Sequence, residues 1–265
     1  MTYSLQGKTV LVTGASTGIG AALAEGFAAR GATIGICARR ADRLAEVLER
    51  IRVHAPESRS WTIDLSDLDA IAGFAATVEA ELGGVDVLVN NAGIPKRRHV
   101  TRLDPETVES VMRINYFSPV RLTLALLPGL IERGGRIVNL SSVAARLGPP
   151  IEGAYAASKA AITAFSECMA VDLRDTDVRV HIVNPGVIDT ELFHLPDNEP
   201  GFHNAVDALP VDAIVEPVVA MLESGAIEGY VPEWFGDVVA GKFKDPSAFI
   251  EGSKAYATQV EADRA

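Results

Sequence analysis

Lys8-Thr9-Val10-Leu11-Val12-Thr13-Gly14-Ala15-Ser16-Thr17-Gly18-Ile19-Gly20 is the stretch on which the fold of this 265-residue sequence turns. A short apolar run passes without a break into three glycines and then into residues 19–30, where apolar positions recur with helical period. The order reads as strand, tight turn and helix, so backbone N–H groups and the positive end of a helix converge where a pyrophosphate can sit. Gly14 permits the turn, Gly18 lets the backbone approach a phosphate without a Cβ, and Gly20 allows the helix to pack close to the strand. Gly14, Ser16, Thr17, Gly18, Ile19 and Gly20 are therefore candidate phosphate-cradle residues, against the reading that the glycines serve a structural turn only.

The same alternation continues outward. Val- and Ile-rich runs at 8–13, 32–37, 85–90, 136–140 and 178–183 are separated by longer segments of helical period, such as 41–54. Near-continuous apolar strands joined by helices call for a parallel sheet covered on both faces, an α/β doubly wound Rossmann fold in a single domain. No repeat, low-complexity tract or linker divides the chain. Residues 1–235 read as a dinucleotide-binding catalytic domain with an irregular, proline-containing excursion at 191–210. Residues 236–265 read as a weakly periodic, polar tail of the same domain.

Composition narrows the function. A net charge of −11 disfavours nucleic acid and anionic membranes as partners. Of the two cysteines, Cys37 lies in a strand-like run and reads as a small buried hydrophobe, so no disulfide framework is expected. The five histidines never fall at ligand spacing, and no metal site is expected. The N-terminus has no signal-peptide order and no run of about 18 apolar residues occurs, which reads as a soluble cytoplasmic protein.

Tyr155 and Lys159 are four apart in the helical segment 154–173 and project from one face. A phenol with a reference pKa of ~10 is a poor base near neutrality, and the Lys159 ammonium is expected to lower it. Taken alone, the pair could equally cover helix surface.

The Gly-x-x-x-Gly-x-Gly spacing, followed by Asn90-Asn91-Ala92-Gly93, Asn115, Ser142, Tyr155-x-x-x-Lys159 and Pro185-Gly186-x-x-x-Thr190, resembles the classical short-chain dehydrogenases/reductases over about residues 5–232. The resemblance implies a catalytic set of Asn115, Ser142, Tyr155 and Lys159. Tyr155 would be the acid/base and Asn115 would hold a water relaying protons from Lys159, with a purely structural Asn as the alternative. The family's serine lies thirteen positions before its tyrosine, which selects Ser142 over Ser141. The same resemblance implies cofactor contacts from Asp64, Leu65, Asn91, Ala92, Gly93, Tyr155, Lys159, Pro185, Gly186, Ile188 and Thr190, while Asn90 would brace strands.

The second strand ends Ile36-Cys37-Ala38-Arg39-Arg40, without the carboxylate that a ribose 2′-hydroxyl requires. Arg39 can instead bind a 2′-phosphate, so NADP(H) is the expected cofactor. Arg40 either assists or points to solvent, and Asp42 is expected to cap the next helix. The expected reaction interconverts a small-molecule carbonyl and an alcohol, on an apolar compound enclosed by Phe193, Leu195 and Phe202. A non-catalytic NADP(H)-binding regulator and an extended-family epimerase or dehydratase are the alternatives. Lys96-Arg97-Arg98-His99 reads as a solvated loop and Glu152 has no assigned role. The faces of the helical segments 105–127 and 154–173 suggest a homodimer or homotetramer.

Overall fold

The computed structural model describes residues 3–195, 197–199 and 207–262. Seven parallel strands form one sheet in the order β3-β2-β1-β4-β5-β6-β7. These are β1 (Thr9–Thr13), β2 (Thr33–Ala38), β3 (Arg59–Thr62), β4 (Val87–Asn90), β5 (Arg136–Leu140), β6 (Arg179–Pro185) and β7 (Glu228–Val231). The core is split by the sheet. On one side α1 (Gly18–Ala28), α2 (Ala41–Arg52) and α8 (Val215–Ser224) bury Leu23, Phe27, Ile51 and Val218 against Val10 and Ile34. On the other, α3 (Ile71–Leu82), α5 (Ser118–Arg133) and α7 (Gly153–Asp172) bury Phe74, Leu122, Leu126 and Met169 against Leu11 and Leu88. Burial on both faces is why the strands are apolar throughout rather than alternating.

The chain runs outward from β1 to β3 and returns to place β4 beside β1. Connections leaving those two strands therefore diverge, opening a crevice at their C-terminal ends. Thr13 Oγ1 fixes its floor, donating to Val89 O at 3.2 Å and accepting from Asn91 N and Ala92 N at 3.0 and 3.1 Å.

Several local expectations change. β3, which no apolar run marks in the sequence, ends at Thr62, and just beyond it Asp64 Oδ1 accepts from the Ser66 N–H and turns the chain. Asp42 is not the cap of α2: the helix starts at Ala41, so Asp42 sits exposed in its first turn, near the positive helix end. The helix expected at 105–127 is α4 (Pro105–Met112), a π turn at Arg113–Phe117, and α5. Taken as one run, Pro105–Arg133 is long and apolar enough to cross a membrane by length and composition. Here Leu122, Leu126 and Leu130 of this run lie in the core. The weakly periodic, polar tail is helical: α9 (Phe235–Lys244) leads into α10 (Pro246–Ala262), which starts where Asp245 Oδ1 accepts from Ala248 N and proline occupies the first helical position.

Candidate active site

One cleft of about 1180 Å³ lies over the C-terminal ends of the strands. Every predicted catalytic and cofactor residue lines it except Gly20 and Asn115. Gly14 (φ +66°) and Gly18 (φ +59°) adopt left-handed backbone, and a Cβ on Gly14 would meet Ala92 Cα at 2.7 Å. Gly20 acts behind the cleft, since a Cβ there would lie 2.4 Å from Asn91 Nδ2. Asn91 in turn donates to Thr13 O and Gly14 O at 2.9 and 3.2 Å, tying the turn to β4. The result is a rigid cradle facing the amide end of α1. Asn90 braces the sheet as expected, donating to Thr123 Oγ1 and Asn139 Oδ1 at 3.0 and 2.8 Å.

At one end of the cleft, Arg39 and Arg40 are exposed beyond β2. Arg40 turns toward the cradle rather than to solvent, donating to Ser16 Oγ and Thr17 Oγ1 at 3.2 and 3.0 Å. It also pairs with Glu191 at 3.2 Å, as does Arg43. Asp64 is held below its usual range by hydrogen bonds from Ser66, with a smaller contribution from Arg39.

At the other end, Ser142, Tyr155 and Lys159 converge. Ser141 and Ser142 divide cleanly. Ser141 Oγ is buried against α7, donating to Lys159 O at 3.1 Å and bonding Thr163 Oγ1 at 2.7 Å, whereas Ser142 lines the cleft and hydrogen-bonds the Tyr155 hydroxyl. Lys159 is buried, donates to Leu140 O at 2.6 Å and lies 5.8 Å from the Tyr155 ring centroid. Burial pushes its ammonium down to about 8. Tyr155 is pushed up to about 12, first by burial and then by the negative charge of Glu152, against the Ser142 hydrogen bond and Arg97. The phenol is therefore held above its ordinary value rather than lowered, and the groups that act against its burial are Ser142 and Arg97 rather than Lys159.

Asn115 occupies the π turn but does not reach the cleft. Its amide accepts from Ile94 N at 2.9 Å and donates to Ile94 O and Ser158 Oγ at 3.0 and 2.9 Å, locking the loop after β4 to the helices. This pairing explains a mid-helix asparagine that propensity disfavours.

The loop 96–99 is not a solvated charge run. Arg97 is only 3% exposed, and its Nε donates to Glu152 Oε1 at 2.6 Å. Lys96 pairs with Asp197, and Arg102 donates twice to Glu199 at 2.9 and 2.6 Å. The acids of the segment 197–199 neutralise charges that looked unpartnered in the sequence. Leu195 lines the cleft, but the Phe193 side chain and Phe202 lie outside the described residues. Leu147, Pro149, Pro150, Phe235, Phe249 and Tyr256 supply apolar wall that the sequence reading missed. The Asp245-Pro246 pair, a cap followed by a first-turn proline, was the available signal for α10, which brings Phe249 and Tyr256.

The short chain dehydrogenase family profile matches residues 8–199 of the chain. This protein belongs to the short-chain dehydrogenase family. It is 39% identical over 224 residues to a short chain dehydrogenase of Pseudocercospora fijiensis, covering 83% of this chain and 70% of that one. Against the bovine dehydrogenase/reductase SDR family member 7B it is 39% identical over 197 residues, 71% of this chain, and it spans about 60% of that relative's length. Among solved structures, a short chain dehydrogenase from Burkholderia cenocepacia in complex with NADP superposes with a TM-score of 0.79 at 30% identity, covering 93% of this chain and 97% of that one. A Burkholderia phymatum member in complex with NAD gives 0.84 at 20% identity over 93% and 96% of the two chains and supports the fold alone. A nicotinamide dinucleotide is thus the cofactor class that this short-chain dehydrogenase's cradle fits.

Proposed function

We propose that this short-chain dehydrogenase interconverts an apolar ketone or aldehyde and its alcohol with NADP(H), with Tyr155 as acid/base. The convergence of Ser142, Tyr155 and Lys159 beside a glycine cradle carries this reading. Gly14, Ser16, Thr17, Gly18 and Ile19 would hold the pyrophosphate; Asp64, Leu65, Asn91, Ala92 and Gly93 the adenosine side; and Pro185, Gly186, Ile188 and Thr190 the nicotinamide. Arg39 and Arg40 would take the 2′-phosphate. When bound, the cofactor supplies or accepts the hydride and, in its oxidised form, brings a positive charge to this end of the cleft.

The chain's own residues do the rest. The hydroxyls of Ser142 and Tyr155 form a pair that can hold a substrate oxygen from two directions. With its pKa pushed up to about 12, Tyr155 keeps its proton and is poised to give it to the alkoxide forming in reduction. The Lys159 ammonium, anchored on Leu140 O, holds positive charge beneath the phenol, and Asn115 keeps the loop that closes this end in place. Exposed Phe117, Leu124, Ile131 and Val171 on α5, its preceding turn and α7 suit a homodimer; sedimentation as a monomer would overturn that assignment.

The test is NADPH oxidation with a panel of ketones and aldehydes, wild type against Tyr155→Phe. Loss of turnover with NADPH binding retained is the expected result. Turnover in Tyr155→Phe, or a wild type that binds NADPH but reduces nothing in the panel, would overturn it, the latter in favour of a non-catalytic NADP(H) binder.

A further inference from the structure

The Arg97–Glu152 contact is a buried ion pair on the wall of the catalytic cleft: Arg97 is 3% and Glu152 15% exposed, with 2.6 Å between Nε and Oε1. Desolvating two charges is unfavourable unless something offsets it, and a fold does not need this pair to close its core. The backbone adds a second observation. The only described non-glycine residues with positive φ are Lys96 (+44°) and Ile151 (+60°), which immediately precede the two partners. A β-branched residue is a marked outlier there, and such strain gathers at functional sites. The two strained loops are joined to each other, Arg98 N donating to Ile151 O at 2.9 Å.

We propose that Arg97 and Glu152 are positioning residues for Tyr155, an opposed pair of charges that sets how readily its hydroxyl releases a proton. Glu152 ends the turn leading into α7, three residues before Tyr155, and Arg97 faces it from the loop after β4. The other groups around the phenol are Ser142 from the end of β5 and Lys159 from α7, while α4 contributes Glu106 and Glu109, the π turn contributes Arg113, the 3₁₀ turn after β6 contributes Glu191 and α10 contributes Tyr256 to the cleft wall. Of the pair, Glu152 holds the proton on and Arg97 loosens it, with Glu152 the stronger.

The inference rests on Tyr155 being the acid/base, and its test separates the two. Protein labelled with 13C at the tyrosine ζ carbon and loaded with NADP+ is titrated by NMR, the Tyr155 signal being assigned by its loss in Tyr155→Phe. Glu152→Gln, which keeps an acceptor for Arg97, should move the Tyr155 titration to lower pH by about one unit, and Arg97→Gln to higher pH by a similar amount. The double variant, which leaves no lone buried charge, should fall between wild type and Glu152→Gln, and it keeps the test available should Arg97→Gln fold poorly. The alkaline limb of alcohol oxidation should move in the same order. Unchanged or like-signed titrations in the variants, with Tyr155→Phe inactive, would overturn the positioning role alone. An active Tyr155→Phe would overturn the acid/base reading beneath it.

Discussion

Arg39→Ala tests the cofactor assignment through a cation at the adenosine end whose charge is felt by Asp64 but which is not tied up in a close ion pair among the described residues. Arg39 is exposed and makes no ion pair among the described residues, whereas Arg40 is committed to Ser16, Thr17 and Glu191. A phosphate arriving at Arg39 displaces water; at Arg40 it must also compete with a carboxylate. Hydrogen bonds to charged groups contribute ~1.5–3 kcal/mol, and solvent screening places an exposed arginine at the low end. Arg39→Ala should thus weaken NADPH about tenfold, ~1.4 kcal/mol, and change NADH less than about twofold. Glu191→Gln should act in the opposite sense. Exposed ion pairs contribute ~0.2–1 kcal/mol, so removing the competitor should tighten NADPH by up to about fivefold. Dissociation constants for both cofactors, measured by fluorescence titration at low and physiological salt, decide the matter. Equal NADPH and NADH affinities in the wild type, or equal losses of both in Arg39→Ala, would refute the 2′-phosphate site.

Two further predictions concern the far end of the cleft. Burial holds Lys159 near 8, below its unfolded value of ~10.4, so the unfolded chain binds more protons between those pH values and this residue makes stability rise with pH from about 8 upward. Cys37 and Tyr155, pushed up to about 12, oppose that rise above pH ~9 but are common to wild type and variant. In urea unfolding without cofactor, the advantage of Lys159→Met over wild type should therefore shrink by ~1 kcal/mol between pH 8 and 9; a pH-independent difference would refute the burial effect. The apolar wall predicts that kcat/KM climbs severalfold per methylene, ~0.8 kcal/mol each, along a series of 2-ketones until the pocket fills. Phe249→Ala and Tyr256→Ala should lower that slope, and a flat wild-type series would return the polar groups of the cleft as specificity determinants.

Local pattern and chain order alone enforce much of this fold. A β-strand running into Gly14 and Gly18 leaves few alternatives to a cradle at a helix start, because only glycine takes the left-handed turn at little strain. Buried parallel strands need continuous apolar runs, so β1, β2, β4, β5 and β6 were legible to within one or two residues. Tyr155 and Lys159 share a face by helical spacing alone. Other features depend on partners far apart in the chain and emerge only on folding. Arg97 reads as a surface charge until Glu152, 55 residues on, closes over it. The amide of Asn115 is explained only by the Ile94 backbone and Ser158. The polar tail hid α10 because a helix that presents a few residues to a cleft and the rest to water carries little apolar periodicity. The acidity of Tyr155 was out of reach for the same reason: a neighbour four residues away is visible in sequence, but burial is a sum over the whole surrounding structure, and here burial prevails.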